Sequence, residues 1–341
     1  MDAMDGLRRG SGSGRWEHGR IMIRIAAAVL ASFVFVSVSA ETLAPWIQGA
    51  DATPSTGRRV AITIDDGPAV GVGDDLGAFQ RISNGLIGAF QVEKVPVTLF
   101  VNESQLNVPG QRDARAAVLD QWLHAGFDIG NHGYSHQSAN QVSLERFADD
   151  VVKGEVVIRP MLERRGKTLN WFRYPYLHSG QNAEAHDAIT RFLDSRGYQV
   201  AHITVDYADY AFAGPYSRAL RAGDVDRAER IRQAYVAQAD LGFEHAEKAS
   251  LEVFGREIPQ ILLIHCNELN AMHVRETLVR MRQRGYTFIT LDEAVRDPVY
   301  ARPDTFAGPG GSWLSRSATA AGRRIETSRS PIVPEWVTAT P

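Results

Sequence analysis

Val60-Ala61-Ile62-Thr63-Ile64 runs directly into Asp65-Asp66-Gly67-Pro68. A short apolar run rich in β-branched residues and closed by Gly-Pro reads as a buried strand with a sharp exit. Two adjacent carboxylates at the end of such a strand repel each other and are costly to desolvate unless something compensates them. Asp-Asp-Gly-Pro is also ordinary turn chemistry, so its meaning depends on what else the fold delivers to the same place.

Working outward, further short runs recur at Val95–Val101, Phe127–Ile129, Asn170–Phe172, Val200–Val205, Ile261–Ile264 and Phe288–Leu291, giving seven candidate strands. Helical patterns lie between them, over Ala114–Ala125, Leu144–Arg164, Ala183–Arg196 and Ala271–Arg284. Gly126, Gly166, Gly197 and Gly285 stand just past their ends as C-caps. Strand–helix alternation with nearly continuous apolar strands implies a parallel α/β sheet covered on both faces, either a (β/α) barrel or a doubly wound sheet. In both, loops at the C-terminal ends of the strands build the site. Five exits carry polar residues: Asp65-Asp66, Asn131-His132, Arg173, Asp206 and His265. Two segments depart from the pattern. Asp224–Phe254 reads as a long amphipathic helical insertion that narrows access to the cleft. The Pro/Gly-rich sequence after Tyr300 reads as an extended tail, with Trp313 and Trp336 as candidate anchors.

Of the 341 residues, 44% are hydrophobic and 23% charged, enough to bury a sizeable core. Lys+Arg 37 against Asp+Glu 40 leaves a formal charge of -3, with no broad basic footprint for nucleic acid or an acidic membrane. The single cysteine, Cys266, excludes a disulfide framework and any multi-cysteine metal site, so a metal must use His and carboxylates. Residues 21–40 carry Arg24, an uncharged apolar run and Val38-Ser39-Ala40, the features of a secretory signal cleaved after Ala40, with Met22 as an alternative start. The run is shorter than the ~20 residues that span a bilayer. The expected layout is a leader over 1–40, a linker over 41–58, one domain over 59–299 and the tail over 300–341. It describes a secreted or periplasmic protein with no stable membrane span.

His132 and His136 are four residues apart, a spacing that can place both imidazoles on one side of a turn. Alone the pair is weak evidence. With Asp65-Asp66 arriving from another strand exit, two imidazoles and one carboxylate can meet and leave coordination positions open, a catalytic rather than a closed structural pattern. A metal on one carboxylate and Arg173 on the other would relieve the repulsion.

Thr63-Ile64-Asp65-Asp66-Gly67-Pro68, His132-Gly133-Tyr134-Ser135-His136, Arg173-Tyr174-Pro175-Tyr176, Asp206-Tyr207-Ala208-Asp209-Tyr210 and Leu262-Leu263-Ile264-His265 resemble, in order, the five motifs of the polysaccharide deacetylases, the NodB-homology domain of carbohydrate esterase family four. The resemblance covers about Arg59 to Val295. It implies a distorted (β/α)7 barrel and metal-dependent removal of acetyl groups from an N- or O-acetylated glycan. By the same resemblance Asp66, His132 and His136 would hold a divalent metal, usually zinc. Asp65 would be the general base, its pKa depressed by the cation and by Arg173, which orients it. His265 would be the general acid, supported by Asp209. The backbone N–H of Tyr176 would complete an oxyanion hole, and Tyr176 and Tyr210 would contact the sugar.

Three positions depart from the family pattern. Gly133 replaces a hydroxyl residue that braces the metal loop, Tyr210 replaces Trp, and Cys266 replaces an Asp and is expected to turn into the core. His178 lies close to Tyr176, but it and the remaining histidines are read as structural or surface residues. Two rival readings are a non-catalytic carbohydrate-binding relative and an amidohydrolase acting on a different C–N bond.

Overall fold

The computed structural model describes residues 57–326 and 330–339. The expected leader and most of the linker lie outside the described residues. Eight strands are present among them: β1 (Arg58–Gly67), β2 (Val97–Val101), β3 (Asp128–Asn131), β4 (Trp171–Phe172), β5 (Gln199–Val200), β6 (Val205–Asp206), β7 (Gln260–His265) and β8 (Tyr286–Ile289). The helices are α1 (Leu76–Glu93), α2 (Arg112–His124), α3 (Leu144–Lys153), α4 (Ile158–Glu163), α5 (Ala183–Ser195), α6 (Asp209–Ala222), α7 (Val225–Phe254), α8 (Glu268–Gln283), α9 (Leu291–Ala294), α10 (Trp313–Ala320) and α11 (Glu335–Thr338). None of them is long and apolar enough to cross a membrane.

All the pairings are parallel, in the order β5-β4-β3-β2-β1-β7-β6, with β8 on the start of β1. The sequence reading of Val200–Val205 as one strand is corrected here, because the run breaks and its two ends pair at opposite edges of the sheet. Seven flat strands at about 4.8 Å spacing would hold those edges roughly 29 Å apart. Five Cα steps from Val200 to Val205 reach at most about 18 Å. The sheet must therefore curl, and it does so into a half-barrel wrapped by helices. Ala201 N–H donates to the Phe172 carbonyl and Thr204 N–H to the Ile261 carbonyl, so this segment joins the two edges.

The period-2 alternation of each strand separates two sets of side chains. Val60, Ile62, Ile64, Leu99, Val101, Phe172, Leu262 and Ile264 pack outward under the helices in the main core. Ala61, Phe100, Trp171, Ala201 and Ile261 form a separate inner cluster. Thr63, Asp65, Arg173 and His265 share the inner parity and sit above that cluster. Gly130 belongs to the inner set as well, and a Cβ there would lie 2.5 Å from the Phe100 ring, so only glycine fits.

The anticipated helix Leu144–Arg164 is two helices. It breaks at Gly154, where a Cβ would come within 2.7 Å of the Gly133 backbone. The chain needs a bare Cα to pass the loop bearing His132. Helix α7 matches the expected insertion, but no residue of it lines the cleft. It packs behind α6 and α8 and stiffens one wall from the rear. The tail is not simply extended. Trp313 opens α10 and is buried, its Nε1 donating to the Val299 carbonyl at 3.1 Å. Trp336 is half-buried beneath the guanidinium of Arg230.

Candidate active site

Strand register brings the exits together. Asp65 on β1 lies opposite His265 on β7, Val101 on β2 opposite Asn131 on β3, and Asn131 opposite Phe172 on β4. Asp65, Asp66, His132, His136, Tyr176, Asp206, Tyr210 and His265 consequently line one cleft of about 1330 Å³.

One ligand atom from each of Asp66, His132 and His136 lies within 4.8 Å of the others. His136 Nε2 stands 3.4 Å and His132 Nε2 3.7 Å from Asp66 Oδ1. Donors about 2.1 Å from a tetrahedral ion lie roughly 3.4 Å from each other, so the trio has the dimensions of a divalent-metal shell. His132 Nδ1 lies 2.8 Å from the Arg173 carbonyl, which selects the Nδ1–H tautomer and leaves the Nε2 lone pair facing Asp66. Burial, reinforced by His136, lowers the His132 pKa to about 3 and keeps its imidazole neutral.

The loop between the two histidines is braced, contrary to the expectation from Gly133. Asp150 accepts from Tyr134 N–H, Ser135 N–H and the Ser135 hydroxyl at 3.0, 3.0 and 2.6 Å. A Cβ on residue 133 would lie 2.5 Å from that carboxylate, so the glycine admits the brace. Asn131 Oδ1 accepts from Gly133 N–H, and Asn102 Nδ2 donates to the His132 carbonyl.

Asp65 is buried, and Arg173 Nη1 donates to it at 3.2 Å. The same guanidinium donates to Thr63 Oγ1 and the Ala201 carbonyl and lies over the Phe100 ring. The expected depression of the Asp65 pKa is not what these groups produce by themselves. Burial pushes it above the usual carboxylate range, and Arg173 offsets this only in part.

On the neighbouring strand β7, His265 Nδ1 lies 2.8 Å from Asp209 Oδ1. Burial disfavours the charged imidazole, but Asp209 outweighs it and the pKa rises to about 10. Asp209 is fully buried and also accepts from His265 N–H, Asn267 Nδ2 and Asn270 Nδ2. Burial raises its pKa, yet His265 and these donors bring it below the ordinary value. The two asparagines had escaped the sequence reading. Asn267 is visible there only as an N-cap before α8, and nothing local shows that both amides turn to Asp209.

Tyr176 and Tyr210 are exposed at the rim, the former against the His136 ring at 4.3 Å and the latter edge-on to His265 at 5.5 Å. His178 does not line the cleft; its Nδ1 pairs with Ser138 Oγ. Cys266 is fully buried in the main core, as expected. Among the described non-glycine residues, six have positive φ, and Asp66, His136, Tyr176, Leu177 and Ala208 are five of them. Such backbone costs about 1–3 kcal/mol per residue. Its concentration around one cleft marks the part of the fold where geometry is held against local preference.

The family model described as polysaccharide deacetylase matches residues 52–192. Peptidoglycan-N-acetylglucosamine deacetylase PgdA of Listeria monocytogenes is 22% identical over 242 residues, covering 70% of this chain and 39% of that protein. A chitin deacetylase of Arthroderma benhamiae is 25% identical over 156 residues, covering 46% and 36%. The chain thus spans under two fifths of the length of these curated relatives. Among solved structures, a family 4 carbohydrate esterase from Streptomyces lividans aligns over 70% of this chain and 96% of that one, at 17% identity and a TM-score of 0.46. The region matched by that family model holds the first three of the five motifs.

Proposed function

We propose that the protein is an extracytoplasmic hydrolase that removes acetyl groups from an acetylated glycan, with Asp66, His132 and His136 holding a divalent cation, zinc by preference. The observation that carries this reading is the meeting, in one cleft, of that donor trio, the Asp65–Arg173 pair and the Asp209–His265 pair. The peptidoglycan and chitin substrates in the names of the two relatives set the class of glycan to try first. Export rests on residues 21–40 and on the extracellular nature of such polymers.

When bound, the cation supplies a Lewis-acid charge that polarises the acyl carbonyl and a water molecule and opposes the cost of burying Asp65. Asp65, oriented by Arg173, takes the proton from the attacking water. His265, kept charged by Asp209, gives a proton to the departing amine or alkoxide as the acyl bond breaks. The N–H of Tyr176 is the candidate donor to the developing oxyanion, and the rims formed by Tyr176 and Tyr210 receive the sugar.

Acetate release from chitooligosaccharide and from peptidoglycan tests the reading. Activity should disappear on chelation, return with zinc, and fall at least about a hundredfold in Asp65→Asn. Turnover that persists both in chelator and in Asp65→Asn would refute the assignment.

A further inference from the structure

Past the clustered motifs the cleft does not end. It continues as a groove with one wall on α6, where Tyr210, Ala213, Gly214, Ser217 and Arg221 form a single helical stripe at i, i+3, i+4, i+7 and i+11. At about 1.5 Å per residue that stripe runs roughly 16 Å away from the reacting end. Ala78, Ile82 and Gly85 of α1 make the facing wall, and Ala271 of α8 the floor. A Cβ on Gly85 would lie 3.0 Å from the Ala271 carbonyl oxygen, so α1 and α8 touch there and close the floor.

This extension has the wrong chemistry for a sugar and the right chemistry for an alkyl chain. A sugar ring wants an aromatic face and partners for its hydroxyls. Beyond Tyr176 and Tyr210 no lining residue of the groove is aromatic. Its charged residues are at the margins: Asp75, Arg81 and Arg221 are exposed, and the Glu268 carboxylate accepts from the Ser217 hydroxyl. The cleft of about 1330 Å³ exceeds the ~300–1,000 Å³ typical of a drug-sized site, and one acetyl group occupies a small part of it.

We infer that the groove is an acyl-chain channel, and that besides acetyl the hydrolase removes longer acyl groups from N- or O-acyl sugars. The inference rests on the deacetylase reading of the site and deepens it. Water oxygen bonds to the acyl carbon, and the carbon–nitrogen or carbon–oxygen bond breaks with its electron pair on the leaving group. That group takes its proton from His265, and the products are an aliphatic carboxylate and a free amine or alcohol. The carbonyl stays between Asp65 and His265 while the alkyl chain lies along the α6 stripe.

The test is an acyl series on one chitooligosaccharide amine (acetyl, butyryl, octanoyl) with the zinc-loaded full chain. Each methylene taken from water into the groove contributes roughly fourfold to kcat/KM, so octanoyl should exceed acetyl by more than about tenfold, chiefly through KM. Acetyl turnover with equal or slower octanoyl turnover would overturn the channel and leave the deacetylase reading intact. No turnover of any member would overturn both. Gly214→Leu supplies the second arm. A Cβ there meets only the flexible Arg218 Nη1, at 3.3 Å, so the helix tolerates it while the groove fills. The octanoyl-to-acetyl ratio should drop at least about tenfold in this variant, since it loses most of the buried methylenes. An unchanged ratio would count against the channel, and a ratio within one preparation is insensitive to partial misfolding.

Discussion

His265 shows how a single residue acquires its chemistry from partners distant in sequence. Its imidazole would titrate near 6.5 in water, and burial alone would lower that further. Asp209, held by Asn267 and Asn270, instead raises it to about 10. The folded pKa lies above the unfolded one, so the His265 contribution to stability is fully present below about pH 6.5 and lost as pH rises through about 10. Asp209, whose folded pKa is depressed, contributes above about pH 4 and loses its contribution as pH falls through the folded value. In Asp209→Asn the alkaline limb of kcat/KM should move from near pH 10 toward about 6.5, and the difference in urea midpoint between pH 6 and pH 9.5 should shrink. A limb that does not move would show that another group governs it. Arg173 plays the corresponding part beside Asp65. Removing it as Arg173→Ala strands a buried carboxylate and should cost about 3–5 kcal/mol in chemical denaturation, more than any loss confined to catalysis would produce.

Elements beyond the barrel hold the site as well as the strands do. The turn carrying Tyr176 and Leu177 has positive φ at both residues, and the segment Gly308–Gly311 lies against it. Gly308 N–H donates to the Gly180 carbonyl, and Asn140 Nδ2 donates to the Gly308 carbonyl. A Cβ on Gly310 would approach the Tyr176 carbonyl to 2.9 Å. That segment is anchored by Trp313, stacked on His202, and by Arg316, which pairs with Asp304 and donates to Ser179. Trp313→Ala should destabilise the protein by about 3–5 kcal/mol and raise KM more than it lowers kcat, because the Tyr176 rim loses its support. An unaltered KM in the folded fraction would show that the rim stands without the tail. The sequence marked Trp313 as an anchor, but not what it anchors.

For the molecule as a whole, closure of the sheet decides where everything else goes. The broken run from Gln199 to Asp206 ties one edge to the other, and the inner parity of β1, β4 and β7 then turns Thr63, Asp65, Arg173 and His265 to one interior. A divalent ion that binds the folded trio and not the unfolded chain should stabilise the whole domain. Zinc at a hundred times its Kd adds about 2.7 kcal/mol, a rise in Tm of a few degrees for a domain of this size. His132→Ala should abolish that rise, a readout independent of turnover. Retention of the full zinc-induced shift in that variant would place the ion elsewhere.

Residue order alone determined the alternation of strands and helices and the polar exits, because periodicity and caps are local properties, while Tyr176, Asp209 and Tyr210 entered the candidate set through the resemblance of the five motifs. Helices α1 and α6 were not legible, since Gly85, Gly88 and Pro215 blur their periodicity. The split of 200–205, the bracing of Gly133 by Asp150 and the amide cradle around Asp209 were also decided only by the tertiary structure. Each depends on contacts between segments far apart in the chain. The length and lining of the groove belong to the same class, because they follow from how three helices pack and no single segment encodes them.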